Sequence, residues 1–220
     1  MDNPRAIIYA NGHFQPSPCY SPRSGDLVIA ADGGARHCQA LGILPQVILG
    51  DFDSLAPAEL EAFDQSGAIL VRSPSRKDET DLELAFRYAV QQGVTEIVVF
   101  GGLGARWDMT VANLLLASAP EYHHLKVCFL DGFQELTLLC GGQVLDLSGQ
   151  PGDIVSLIPL AGDAVGVTTQ GLEYPLEIDT LSFASPRGVS NVLLFPAARV
   201  SLAQGLLLCV HIHQASHDVK

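Results

Sequence analysis

The stretch EIVVFGGLGARWDMTVANLLLA, residues 96–117, decides the reading of the first half of the chain. Its first five residues are short, apolar and β-rich and run straight into glycine, the pattern of a strand buried on both faces. Gly101, Gly102 and Gly104 then turn the chain, and residues 109–117 read as a helix. The loop is neither of the two best-known phosphate cradles: Trp107 stands where G-x-G-x-x-G needs its third glycine, and G-x-x-x-x-G-K-[ST] occurs nowhere. Both a P-loop kinase and an ordinary Rossmann dehydrogenase are disfavoured.

Working outward, the same alternation recurs. Residues 6–10, 27–31, 47–49, 68–71 and 126–130 read as further buried strands. Between them, residues 80–92 carry Leu82, Ala85, Phe86, Ala89 and Val90 at helical spacing, with a Thr80/Glu83 capping-box pattern in front and Gly93 as the stop. Pro57 opens a second helix over 58–65, closed by Gly67. This predicts an α/β domain, a mostly parallel sheet with helices on both faces. After Gly132 the composition shifts to Val, Leu, Thr and Gly. Turn signals follow at Gly141-Gly142, Gly149-Gln150-Pro151-Gly152, Ala161-Gly162-Asp163, Ser185-Pro186-Arg187-Gly188 and Gln204-Gly205. That predicts an all-β antiparallel sandwich or small barrel, with domains at 1–133 and 134–220.

The 220 residues are 48% apolar, enough for a real core without staples. A net charge of −12 argues against nucleic acid or an anionic membrane as partner. It leaves nucleotides open, since a metal and a few cations hold a polyphosphate on an acidic protein. Five cysteines without C-x-x-C spacing indicate neither a disulfide framework nor a zinc site and read as buried thiols. No secretory leader or membrane-length apolar run is visible, so the expectation is a cytoplasmic protein.

Four acidic clusters fall at predicted strand ends: Ala31-Asp32-Gly33-Gly34, Gly50-Asp51-Phe52-Asp53-Ser54, Lys77-Asp78-Glu79-Thr80-Asp81 and Arg106-Trp107-Asp108. In an open α/β sheet the carboxyl ends of the strands face one crevice, so these carboxylates can meet there and need a cation among them. Each has a plainer reading. A lone D-x-D after a strand also suits a turn, Asp32 suits an N-cap with glycines for a tight turn, and Asp78 and Asp81 suit a helix N-terminus. Lys77 differs, because a cation at an acidic mouth has a use against a triphosphate. His211 and His213 alternate on a predicted strand, with His217 near the end. With no cysteine or acidic partner in register, a surface or edge-strand reading is preferred to a metal site. The G-x-S-x-G elbow of hydrolases is absent.

As an ordered set, ADGGA (31–35), GDFDS (50–54), KDETDLELA (77–85), GGLGARWD (101–108), GLEYPL (171–176) and GVSN (188–191) resemble the thiamine pyrophosphokinase family. The resemblance implies Mg²⁺-dependent transfer of a diphosphoryl group from ATP to the hydroxyl of thiamine, giving thiamine diphosphate and AMP. It implies a homodimer with active sites where the subunits meet. By motif, Asp32, Asp51, Asp53 and Asp81 would be catalytic and hold Mg²⁺, while Lys77, Asp78, Thr80, Arg106, Asp108, Gly33 and Gly102 would serve ATP. Tyr174, Ser190 and Asn191 would meet thiamine. The chain departs from the family at Met109, where Gln or His is usual, at Tyr174, where some members carry Trp, and at Val192-Leu193. Two rivals stay open: another D-x-D transferase with a nucleotide donor, and a non-catalytic thiamine- or nucleotide-binding regulatory module.

Overall fold

The computed structural model describes residues 4–104 and 106–214. The chain forms two compact units. One takes the described residues up to Pro16 together with Tyr20–Asp131; the other takes Ser17–Cys19 and the described residues from Gly132 onward.

The first unit runs β1 (Arg5–Tyr9), β2 (Leu27–Ala31), α1 (Gly34–Ala40), β3 (Val47–Gly50), α2 (Pro57–Gln65), β4 (Ile69–Arg72), α3 (Asp81–Gln91), β5 (Glu96–Phe100), α4 (Trp107–Ala117) and β6 (Lys126–Asp131). Its strands are all parallel, in the order β6-β5-β1-β2-β3-β4. The expected α/β fold is what the chain adopts. β1 is buried along its whole length, and its neighbours β2 and β5 are nearly so. Burying each of Ile7, Ile8, Ile48 and Ile97 contributes roughly 2 kcal/mol, which is why the continuous apolar runs lie in the centre of the sheet. β4 corrects the expectation of a buried strand. It pairs with β3 alone, and Ile69, Val71 and Arg72 are exposed, as an edge strand permits.

The chain leaves β1 towards β2, β3 and β4, then returns to the other side of β1 with β5 and β6. The strand order therefore reverses between β1 and β5, the point where open α/β sheets form their ligand crevice. The loops after these two strands touch: the Ala10 amide donates to Phe100 O at 2.8 Å and the Gly12 amide to Gly101 O at 2.9 Å. A Cβ on Gly101, whose φ is +66°, would sit 2.4 Å from Ala10 O, so glycine is required by both conformation and space.

α3 begins where the sequence says. Thr80 Oγ1 accepts from the Glu83 amide at 3.2 Å, but only half of the capping box forms, because the Glu83 carboxylate accepts from Arg87 at 2.6 Å instead.

The second unit consists of β7 (Gln134–Cys140), β8 (Val144–Ser148), β9 (Ile154–Pro159), β10 (Ala164–Gln170), β11 (Asp179–Leu181), β12 (Asn191–Val192), β13 (Ala197–Ser201) and β14 (Leu206–Ile212). Two antiparallel runs form, β12-β9-β14-β7 and β11-β10-β13-β8. Leu139, Val155, Leu157 and Leu207 from the first share one core with Leu145, Val167, Leu181 and Val200 from the second. This is the expected all-β sandwich, in which alternate residues of each strand point inward. Four of the five cysteines are buried free thiols, but Cys19 is exposed, against expectation. β14 lies between β7 and β9, so the edge-strand reading is wrong for His211, while His213 follows the strand's end. His211 is 1% exposed and paired in register with Glu135. His217 lies outside the described residues.

Candidate active site

Asp32 follows directly on β2 with φ +46° and is 4% exposed. Two structural demands put it there: its amide donates to Leu49 O on β3 at 2.7 Å, and Gly50 leaves its Cβ position open to Asp32, since a Cβ there would meet Asp32 Cβ at 3.0 Å. Asp32 Oδ2 accepts from Ser54 Oγ and, at 3.3 Å, from Asn11 Nδ2. Asp32 Oδ1 is buried and has no hydrogen-bond partner among the described residues. A buried carboxylate oxygen left without a donor is costly unless a cation meets it.

That cation has further ligands at hand. One carboxylate oxygen from each of Asp32, Asp51 and Asp53 lies within 4.8 Å of the others. Phe52 between them has φ +66° and is buried, with Arg72 stacked 4.9 Å over its ring and donating to Asp51 O at 3.2 Å. A non-glycine residue held in the left-handed region marks a position whose geometry the surroundings impose. The Asp53 amide donates to Asp51 Oδ1 at 3.2 Å, which holds the Asp51 carboxyl below its usual range. The Asp53 carboxyl is pushed up, first by the charge of Asp51. Three oxygen donors with this mutual repulsion suit a hard divalent cation such as Mg²⁺.

Beside the carboxylates, a cavity of about 550 Å³ opens at the strand-order reversal. Its walls include Asn11 and Gly12 after β1, Asp51, and Gly101 to Gly104 after β5. Lys77, Thr80 and Asp81 from the start of α3 and Arg106 and Met109 from the start of α4 complete it. Lys77 Nζ donates to Asp81 Oδ1 at 2.6 Å and to Ser73 Oγ at 2.5 Å. Asp81 stands outside the three-carboxylate group and anchors the lysine. The glycine loop is held from below by α4: Asn113 Nδ2 donates to Gly102 O at 2.7 Å and the Gly104 amide donates to Thr110 Oγ1 at 3.0 Å.

The remaining sequence candidates are placed differently. Gly33 lies off the cavity. A Cβ there would strike Asn11 Oδ1 at 2.2 Å, and one on Gly34 would strike Tyr9 O at 1.9 Å, so these glycines admit β1 and its loop rather than a ligand. Gly102 does line the cavity, yet its Cβ would meet Phe129 and Val99, so packing alone already requires glycine. Asp78 is exposed. Asp108 is also exposed; it accepts from Arg106 at 2.5 and 3.1 Å and from the Met109 amide at 2.9 Å, and its carboxyl is held below the usual range first by Arg106. In the second unit Tyr174 is 64% exposed. Asn191 is buried with its amide turned on Tyr174: Nδ2 donates to Tyr174 O at 2.7 Å and Oδ1 accepts from the Tyr174 amide at 3.0 Å. Ser190 has φ +64°, and its amide donates to Ser156 Oγ at 3.0 Å.

Asn11, Ser54 and Asn113 escaped the sequence reading. Ser54 stood inside a quoted motif, and Asn11 carried a signal only in following directly on the first predicted strand. Asn113 had none.

A parallel α/β unit whose strand ends gather three carboxylates beside a lysine, with an antiparallel β unit in the same chain, suits an enzyme that handles a metal-bound polyphosphate. The profile for the catalytic domain of thiamin pyrophosphokinase matches residues 22–129, and the profile for the vitamin B1 binding domain of thiamin pyrophosphokinase matches residues 143–207. The chain belongs to the thiamin pyrophosphokinase family. The thiamine pyrophosphokinase of Bacillus subtilis is 27% identical over 184 residues, covering 84% of this chain and 86% of the relative. Thiamine pyrophosphokinase 1 of Oryza sativa is 24% identical over 234 residues, 94% of this chain and 87% of the relative. In fold, a crystal structure of the Bacillus subtilis enzyme superposes with a TM-score of 0.85 at 24% identity, covering 96% of this chain and 100% of that one. The structure from Candida albicans gives 0.74 at 18% identity, covering 96% and 89%.

Proposed function

We propose that this chain transfers the diphosphoryl group of ATP to the hydroxyl of thiamine, giving thiamine diphosphate and AMP, and that Asp32, Asp51 and Asp53 hold the Mg²⁺. The observation that carries the metal assignment is the orphaned, buried Asp32 Oδ1 beside two further carboxylates. When bound, the ion neutralises charge on the polyphosphate oxygens as the bridging bond breaks. Lys77 supplies a second positive charge, and its tether to Asp81 and Ser73 keeps the long side chain ordered before substrate arrives, so little freedom is lost on binding. Arg106, which lines the cavity and is paired with Asp108, serves the outer phosphate. The glycine loop and Asn11 shape the wall against which the nucleotide lies. The proton of the attacking hydroxyl leaves late in the reaction to a carboxylate oxygen of the acidic group.

Thiamine is aromatic and cationic, so an exposed tyrosine suits it. Tyr174 is that residue, and Asn191 acts by fixing the Tyr174 backbone rather than by reaching the ligand. We place this face in the site of a second copy of the chain. The exposure of Ile178, Phe183, Leu194 and Phe195, like that of Tyr174, in the second unit supports a homodimer. No helix among the described residues is long and apolar enough to cross a membrane, and a cytoplasmic location is proposed on the same footing.

The test is product analysis after incubating the protein with thiamine, ATP and Mg²⁺, with and without chelator. Equimolar AMP and thiamine diphosphate, abolished by chelation, is the expected result. ADP with thiamine monophosphate would mean single-phosphoryl transfer and overturn the reading. Binding without turnover would leave only the regulatory module.

A further inference from the structure

The second unit holds a cluster that phosphoryl transfer does not use. His211 lies on β14 and His213 stands one residue past the strand's end, while Glu135 lies opposite His211 on β7. One ring nitrogen of each histidine and one carboxylate oxygen of Glu135 lie within 4.8 Å of one another. His213 Nε2 stands 3.6 Å from Glu135 Oε2, beyond hydrogen-bond distance, and this buried nitrogen has no hydrogen-bond partner among the described residues. Behind the rings, Asp153 is fully buried. Its Oδ2 lies 3.1 Å from His211 Nε2 and 3.4 Å from His213 Nδ1, and its two oxygens accept the Gln150 and Gln214 amides at 3.0 and 2.9 Å. The Asp153 carboxylate is hydrogen-bonded to His211 Nε2, which fixes that tautomer and leaves Nδ1 as a lone-pair donor, the arrangement that supports a histidine metal ligand. Asp153 and His213 also line a cavity of about 280 Å³ together with Cys19, the exposed cysteine, whose segment Ser17–Cys19 belongs to this unit.

We propose that Glu135, His211 and His213 bind a divalent transition metal, zinc by the donor set, with the Cys19 thiolate as fourth ligand. Nitrogen and sulfur donors separate this site chemically from the all-oxygen group at Asp32, Asp51 and Asp53, which suits a hard cation. Ligands about 2.0–2.1 Å from zinc in a tetrahedral site stand roughly 3.4 Å apart, so side-chain rotations of an ångström or so close the site. Bound metal ties the Ser17–Cys19 segment to β7 and β14 and stabilises this unit.

The test uses the full-length chain carrying Asp51→Asn throughout, which removes a ligand of the acidic group and makes the outcome independent of turnover. After chelator stripping, the protein is titrated with zinc against a chromogenic chelator and, separately, with cobalt(II) in an absorption spectrometer. One zinc per chain with a raised melting midpoint is expected. His213→Ala weakens that binding at least about tenfold, and Glu135→Gln, at a less buried position, gives the same loss in a protein whose circular dichroism is unchanged. Cys19→Ser removes the near-ultraviolet thiolate-to-cobalt band while the visible d–d bands persist. Zinc binding that neither His213→Ala nor Glu135→Gln weakens would overturn the site, as would a parent protein that takes up no zinc. A charge-transfer band that survives Cys19→Ser would overturn the fourth ligand.

Discussion

Asp32 Oδ1 carries the proposed metal assignment; read locally, Asp32 suits an N-cap, and only the ordered motif set implied a metal role for it. Its burial with no donor among the described residues is what supports the proposed ligand role. Asp51 and Asp53 were legible as a D-x-D pair, since alternation in an extended segment puts both carboxylates on one side. The positive φ of Phe52 between them came only from the fold. Asp51→Asn removes one oxygen charge from the group, and turnover is expected to fall on the order of 100-fold or more with the circular dichroism spectrum intact; near-normal rates in the purified variant would remove Asp51 from the metal site. The acid limb of the pH–rate profile should depend on the metal. Asp51 raises the carboxyl of Asp53, so a proton competes with the cation there, and deprotonation must precede binding. Raising Mg²⁺ concentration shifts the acid limb to lower pH. Profiles that superimpose at low and high Mg²⁺ would contradict this.

Strand–glycine–helix elements were the most readable part of the chain. The strand at Glu96–Phe100 matches its sequence reading residue for residue, and α3 begins one residue after the expected Thr80, which is its cap. What those glycines do was misread. Gly33 was assigned to ATP, but the space it leaves is filled by Asn11, as that left by Gly34 is by the Tyr9 carbonyl, because α1 and the β1 loop cross at backbone distance. Gly101 has the sharper demand, a positive φ and a carbonyl 2.4 Å from any Cβ. Gly101→Ala is therefore expected to destabilise the protein by about 1–3 kcal/mol in chemical denaturation and to lower turnover by shifting the wall opposite Asp51. A loss under about 0.5 kcal/mol would mean that the crossing relaxes freely.

At the scale of the molecule, one ion pair joins the start of β1 to the approach to β2. Arg5 donates twice to Asp26, at 2.9 and 2.7 Å, with both side chains under a tenth exposed. Burial alone would raise the Asp26 carboxyl, but Arg5 and the Arg23 amide outweigh it and hold it below the ordinary value. A carboxyl so depressed contributes its stability above the unfolded pKa of about 3.9 and loses it as pH falls through the folded value. Asp26→Asn leaves the guanidinium uncompensated and is expected to cost about 3–5 kcal/mol near neutrality. The gap to the parent in urea unfolding should hold from about pH 8 to 5 and narrow below about pH 4; a gap that widens in acid would reverse the assignment. The sequence by itself determined the two kinds of architecture and the strand-end placement of the aspartates, because hydrophobic period and turn chemistry are local properties that a few residues express. Only the tertiary structure decided which strand ends became neighbours. It brought Asn11 and Ser54 onto Asp32, put Lys77 on Asp81, and set His211 opposite Glu135 on a central rather than an edge strand. Apart from Lys77 and Asp81, which lie four residues apart, these are contacts between segments distant in the chain, fixed by strand order and loop crossings that no local pattern encodes.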